Sequence, residues 1–96
     1  MPSPKTTEYL FAYDVSDDKE RRKVERLLKG YGFRRQWSVF VCRLTRGDKA
    51  RLERQLHELA LATGFVLMVR IAPSSRPKTI GECKMPDWDG EYAFII

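Results

Sequence analysis

The chain is poor in the residues that build metal centres and covalent cross-links. Of its 96 residues two are cysteine and one is histidine. Cys42 and Cys83 are far apart in the sequence, with no CxxC and no His/Cys cluster, which argues against a zinc site or a disulfide framework. His57 lies among Arg54, Gln55 and Glu58 with no partner at metal-ligand spacing, and reads as a surface residue. No apolar run approaches membrane-spanning length, and the polar, proline-containing start MPSPKTTE is not a signal peptide. The expectation is a cytoplasmic protein with no membrane partner. The six glycines match neither a P-loop nor a dinucleotide fingerprint. Ser38 has no base nearby in the sequence, so a serine nucleophile is unsupported. Cys42, in an apolar run, reads as a core thiol.

What the chain does have is positive charge, with 18 Lys and Arg against 13 Asp and Glu, a net +5. The basic residues concentrate between Lys19 and Arg54, while the segment after Pro73 is slightly acidic, with Glu82, Asp87, Asp89 and Glu91. The charge therefore belongs to the body of the domain and suits a polyanionic partner. The bland alternative is a set of solvated helix faces.

The length fits one domain over 1–96, with a core at about 8–73 and a C-terminal extension at 74–96. Tyr9 to Val15 is a nearly continuous apolar run, as in a strand buried on both faces. Asp17, with Glu20 three residues on, approximates a capping box and opens a helix with Val24, Leu27, Leu28 and Tyr31 on one face, ended by Gly30 and Gly32. Phe33 to Leu44 is strand-like, either one long strand or two short ones bent near 36–38. Thr45-Arg-Gly-Asp48 caps a second helix with Leu52, Leu56, Leu59 and Ala60 as its stripe and Gly64 as its C-cap. Phe65 to Ala72 is a further strand. If the middle region supplies two strands, the order is that of an α+β, ferredoxin-like βαββαβ plait. Its helices cover one face of the sheet only. Yet the first strand is apolar on both, with Tyr9, Phe11, Tyr13 and Val15 on one side and Leu10 and Ala12 on the other, so a second copy is expected to cover the second face in a homodimer. The end, Glu91 to Ile96, has strand composition and needs an edge to pair with.

Asp14 is the oddly placed acid. A carboxylate closing a buried strand costs free energy unless it is paired, metal-bound or solvated. The residues alone lean towards a cap of the Ser16–Asp18 turn. One aspartate is too few ligands for a hard cation, and Asp17 and Asp18 are better explained as charges at a helix N-terminus. Two copies of Asp14 facing each other across a symmetric dimer could share one ion. Arg34 and Arg35, beside Phe33, Trp37 and Phe40, could grip phosphates and stack on bases, although most of these aromatics read as core.

Tyr13-Asp-Val-Ser16 after an apolar strand, a basic helix with Arg21, then Leu28-Lys-Gly-Tyr-Gly-Phe33, Arg34-Arg-Gln36 and Ser38-Val-Phe40 together resemble the Cas2 family of small CRISPR-associated adaptation proteins. The resemblance runs from about Tyr9 to Pro73. It implies a ferredoxin-like homodimer. Some members are metal-dependent endonucleases on RNA or DNA, using Mg²⁺ or Mn²⁺, and others bridge the CRISPR integrase during spacer capture. The family's strand-end aspartate, the catalytic and metal-binding position, falls on Asp14, with Tyr13 and Ser16 beside it. Its nucleic-acid-binding helix arginine falls on Arg21, its strand arginine on Arg34 or Arg35, and its phenylalanine on Phe40. Many members carry an acid after that phenylalanine, where this chain has Val41. The end of the chain would match the family's tail strand, which docks on a partner subunit or the integrase. Three roles therefore follow: an adaptor that binds DNA or RNA and the integrase, a metal-dependent nuclease, and a stand-alone toxin-like ribonuclease.

Overall fold

The computed structural model describes residues 5–75, 78, 80 and 81. Its elements follow the order β1 (Thr7–Val15), α1 (Asp18–Lys29), β2 (Gly32–Gln36), β3 (Val39–Leu44), α2 (Arg46–Glu58) and β4 (Gly64–Ile71). The four strands form one antiparallel sheet in the order β2-β3-β1-β4. This is the expected βαββαβ plait. The middle region is two strands, joined by a tight turn at Trp37 and Ser38. The strand expected over Glu91 to Ile96, and Cys83, lie outside the described residues.

Alternation along β1 divides the molecule. Tyr9, Phe11, Tyr13 and Val15 are buried together with Val24 and Leu28 of α1, Leu52 of α2 and Phe40, Cys42 and Leu44 of β3. Burial pushes the Cys42 thiol up to about 12, so it is inert packing rather than a nucleophile. The alternate residues Leu10, Ala12 and Asp14 stand in register with Val69, Leu67 and Phe65 of β4. Period-2 alternation puts these on the helix-free face, where Phe65, Leu67 and Val69 are between 45 % and 60 % exposed. The described residues thus leave a row of large apolar side chains in water, each able to contribute roughly 1.5–3 kcal/mol if covered.

Both helix starts follow their sequence signals. The Asp17 carboxylate accepts the Glu20 backbone N–H at 2.9 Å, and the Thr45 hydroxyl accepts that of Asp48 at 3.1 Å. Glu20 does not close the capping box. Its carboxylate reaches across to the Thr63 hydroxyl and the backbone N–H groups of Ala62 (2.8 Å) and Thr63 (2.9 Å). These bonds, led by the Thr63 hydroxyl, hold the Glu20 carboxyl below its ordinary value. Thr63 also accepts from the Asp17 and Ser16 backbone N–H groups, at 3.0 Å through its hydroxyl and 3.1 Å through its carbonyl. The α2–β4 loop is thereby clamped to the end of β1.

Gly64 is not the C-cap of α2, which is Leu59. Gly64 begins β4 opposite Val15. A Cβ there would stand 1.9 Å from the Asp14 backbone oxygen, so glycine is required by close approach of two strands rather than by helix termination.

Candidate functional site

At the end of β1 a groove of about 510 Å³ is lined by Asp14, Val15, Arg21, Glu25, Arg34, Trp37 and Ser38. Three elements supply it. β1 brings Asp14 and Val15, α1 brings Arg21 and Glu25, and the β2–β3 hairpin brings Arg34, Trp37 and Ser38.

Asp14 is exposed, and its carboxylate has no hydrogen-bond or ion-pair partner among the described residues. It does not cap the Ser16–Asp18 turn; Asp17 does that. A solvated carboxylate at a strand end incurs little of the desolvation cost expected of a buried one, which leaves Asp14 free to bind.

Arg21 is partly committed. It donates to the Val15 carbonyl at 3.2 Å and the Ser16 carbonyl at 3.5 Å, and pairs with Asp18. These bonds fix the turn that follows Asp14 and hold a positive charge beside it.

Arg34 and Glu25 form the other half. Their ion pair, Arg34 Nη2 to Glu25 Oε2 at 2.9 Å, is four-fifths buried on each side. The Tyr13 hydroxyl lies 2.8 Å from the same Oε2 and 2.8 Å from the Trp37 carbonyl oxygen, so its one proton is shared between two acceptors. Burial first, and the carboxylate of Glu25 next, push the Tyr13 hydroxyl up to about 12, so it acts as a donor and not as a base. The Arg34 guanidinium also lies 5.4 Å from the Phe40 ring centre and 5.7 Å from that of Trp37. Its Nε is buried with no hydrogen-bond partner among the described residues. Arg34 is thus held rigidly at the groove wall, with its charge partly answered by Glu25.

Arg35 is placed differently. It sits at a register break between Arg34 and Gln36, is 9 % exposed and does not line the groove. Of the aromatics offered for stacking, Phe40 is core, Phe33 is in register with Val41 on the helix-free side, and Trp37 is 61 % exposed at the groove.

Glu25 has no place in the sequence reading. The signal that points to it is Tyr13, because a tyrosine in a buried strand needs an acceptor for its hydroxyl.

Among the described residues no three His, Cys, Asp or Glu side chains stand together as a metal site. Of the two carboxylates that line the groove, Glu25 is committed to Arg34, so Asp14 alone is free for a hard cation there, fewer ligands than one takes. No helix among the described residues is long and apolar enough to cross a membrane.

Comparison with known proteins gives this geometry its relatives. Residues 7–78 match the family model described as CRISPR associated protein Cas2. A protein of Thermus thermophilus named CRISPR-associated endoribonuclease Cas2 is 43% identical over 72 residues, which are 75% of this chain and 73% of that protein. One of the same name from Rhodospirillum rubrum is 40% identical over 67 residues, 69% of this chain and 66% of that one. Among solved structures, a hypothetical protein of Thermus thermophilus superposes with a TM-score of 0.75 at 32% identity, covering 86% of this chain and all of the other. Streptococcus pyogenes Cas2 superposes at 0.68 and 26% identity, covering 77% of this chain and 99% of the other. The chain belongs to the Cas2 family.

Proposed function

We propose that this Cas2-family chain works in CRISPR adaptation as a cytoplasmic, basic homodimer that binds DNA or RNA and bridges the CRISPR integrase, with a metal-dependent endonuclease centre built from two copies of Asp14. The observation that carries it is the position of Asp14. Its carboxylate has no partner among the described residues, it lines one groove with Arg21 and Arg34, and alternation puts it on the helix-free face with Phe65, Leu67 and Val69. A second copy that covered those side chains about a two-fold axis passing close to Asp14 would bring the two Asp14 carboxylates together. The apolar end of the chain, Glu91 to Ile96, would then serve as the strand offered to the integrase.

Arg21 and Arg34 would neutralise phosphates and fix the strand along the groove. Arg34 is the better placed of the two hairpin arginines, because Arg35 is outside the groove. Glu25 and the Tyr13 hydroxyl would hold Arg34 in position. The paired Asp14 carboxylates would hold Mg²⁺ or Mn²⁺, which when bound supplies water activation and stabilises charge on the phosphate.

The test compares wild type with Asp14→Ala in two assays run side by side. One is metal-dependent cleavage of RNA and DNA. The other is spacer integration with the partner integrase. The expected result is loss of cleavage with integration retained. Cleavage unchanged in Asp14→Ala would remove Asp14 from the chemistry, and loss of both would show that the two roles are not separable. The relatives named as endoribonucleases favour a second reading, a stand-alone toxin-like ribonuclease. That reading requires cleavage without any integrase complex, and growth arrest on expression that Asp14→Ala abolishes.

A further inference from the structure

Trp37 is more exposed than any other large apolar side chain of β1–β4 and the turns beside the groove, at 61 %. Burial of an indole normally contributes heavily to folding, so its exposure calls for a reason. The turn does not need the ring. Its backbone is tied to β1 by Tyr13, whose N–H donates to the Ser38 carbonyl at 3.0 Å and whose hydroxyl reaches the Trp37 carbonyl at 2.8 Å. The ring is steadied by the Arg34 guanidinium 5.7 Å from its centre, while most of its surface meets water. It therefore stands fixed at its backbone in a groove lined by two cations, Arg21 and Arg34, and two carboxylates, Asp14 and the Arg34-paired Glu25, with a volume in the range of small-ligand sites.

We propose that Trp37 is a stacking platform for an unpaired nucleobase whose flanking phosphate is held by Arg21 and Arg34. The proposal rests on the nucleic-acid reading above and adds to it a preference for strands with a splayed base. Aromatic platforms beside a positive groove bind single strands because every base has a π-face, whereas the bases of an intact duplex spend both faces on their neighbours. The Arg34 cation over the same ring adds polarisation without blocking it.

The test measures affinity for three labelled ligands of equal phosphate number: a single-stranded oligonucleotide, the same backbone with abasic sites, and a blunt duplex. Wild type, Trp37→Ala and Trp37→Phe are compared, each as the full chain. Trp37→Ala should lose about tenfold on the base-bearing single strand, the scale of base–aromatic stacking, and less than about twofold on the other two. Trp37→Phe, which keeps a ring, should stay close to wild type on all three. Equal loss on all three ligands would assign Trp37 a structural or dimer-packing role and overturn the proposal, as would unchanged binding of the single strand by Trp37→Ala. If wild type bound none of the three, the nucleic-acid reading itself would fall. If it bound all three with steep salt dependence but Trp37→Ala did not discriminate, only the platform would fall.

Discussion

Replacing Tyr13 by phenylalanine removes the one hydroxyl that meets Glu25 and the Trp37 carbonyl behind the groove, and nothing else. The ring remains, packed in the core at 4 % exposure beside Phe40, so no cavity forms. What is lost is a hydroxyl within 2.8 Å of both the Glu25 carboxylate and the Trp37 carbonyl. A hydrogen bond to a charged acceptor is worth about 1.5–3 kcal/mol. Glu25 keeps its pairing with Arg34, and the Trp37 carbonyl sits in an exposed turn within reach of water, so the lower part of that range applies, about 1.5–2 kcal/mol. For a domain of this size that is a fall in Tm of roughly 10 °C. The pH dependence supplies a second readout. The Tyr13 hydroxyl is raised in the folded protein from 10.0 to about 12. Its contribution is therefore complete below pH 10, where neither state ionises it, and is lost as the pH rises through 12. Urea unfolding followed by circular dichroism should show wild type the more stable at neutral pH, with the gap closing from pH 10 upward and unchanged m-values. A gap below about 0.5 kcal/mol at pH 7, under the usual worth of even a neutral hydrogen bond, would refute the shared-proton arrangement and with it the rigid placing of Arg34.

The remaining predictions concern the clamp and the face. Glu20 is held below 4.5 by the Thr63 hydroxyl and two backbone N–H groups, so its contribution is present above that value and disappears as the pH falls through the lowered one. The difference in urea midpoint between wild type and Glu20→Gln should accordingly shrink on acidification below pH 4.5; a difference that grows there would reverse the assignment. Leu67→Asp puts a charge among exposed apolar side chains of the helix-free face, and should convert a two-chain particle to a single chain in analytical ultracentrifugation without loss of helix signal. A dimer undisturbed by that charge would locate the interface elsewhere.

The plait was legible because its evidence is local. Alternation in Tyr9 to Val15, the helical stripe of Val24 and Leu28, and the Asp17 and Thr45 caps each act within a few residues. The hairpin turn was not, because Trp37 and Ser38 carry no glycine or proline signal; it is held by Tyr13, more than twenty residues earlier. Glu20 misled for the same reason: its spacing fits a capping box, yet its carboxylate is taken by a loop more than forty residues on. Gly64 reads as a helix stop from its neighbours, while the constraint on it comes from the Asp14 backbone across the sheet. Sequence spacing could not choose between Arg34 and Arg35 either. They are adjacent, and only the structure shows that Arg34, in register with Phe40 and paired with Glu25, is the one that meets the groove. Asp14 itself was visible as an acid closing an apolar strand, but its lack of a partner among the described residues emerges only once Asp17 and Arg21 are seen to secure the turn beside it.

The central claim is that Asp14 becomes a metal site only when two chains bring their copies together. The stoichiometry of Mn²⁺ binding, measured by calorimetry on wild type, Leu67→Asp and Asp14→Ala, tests it most directly. The account predicts one ion per two chains in wild type and none in either variant. One ion per chain, or full binding by a single-chain Leu67→Asp or by Asp14→Ala, would contradict it.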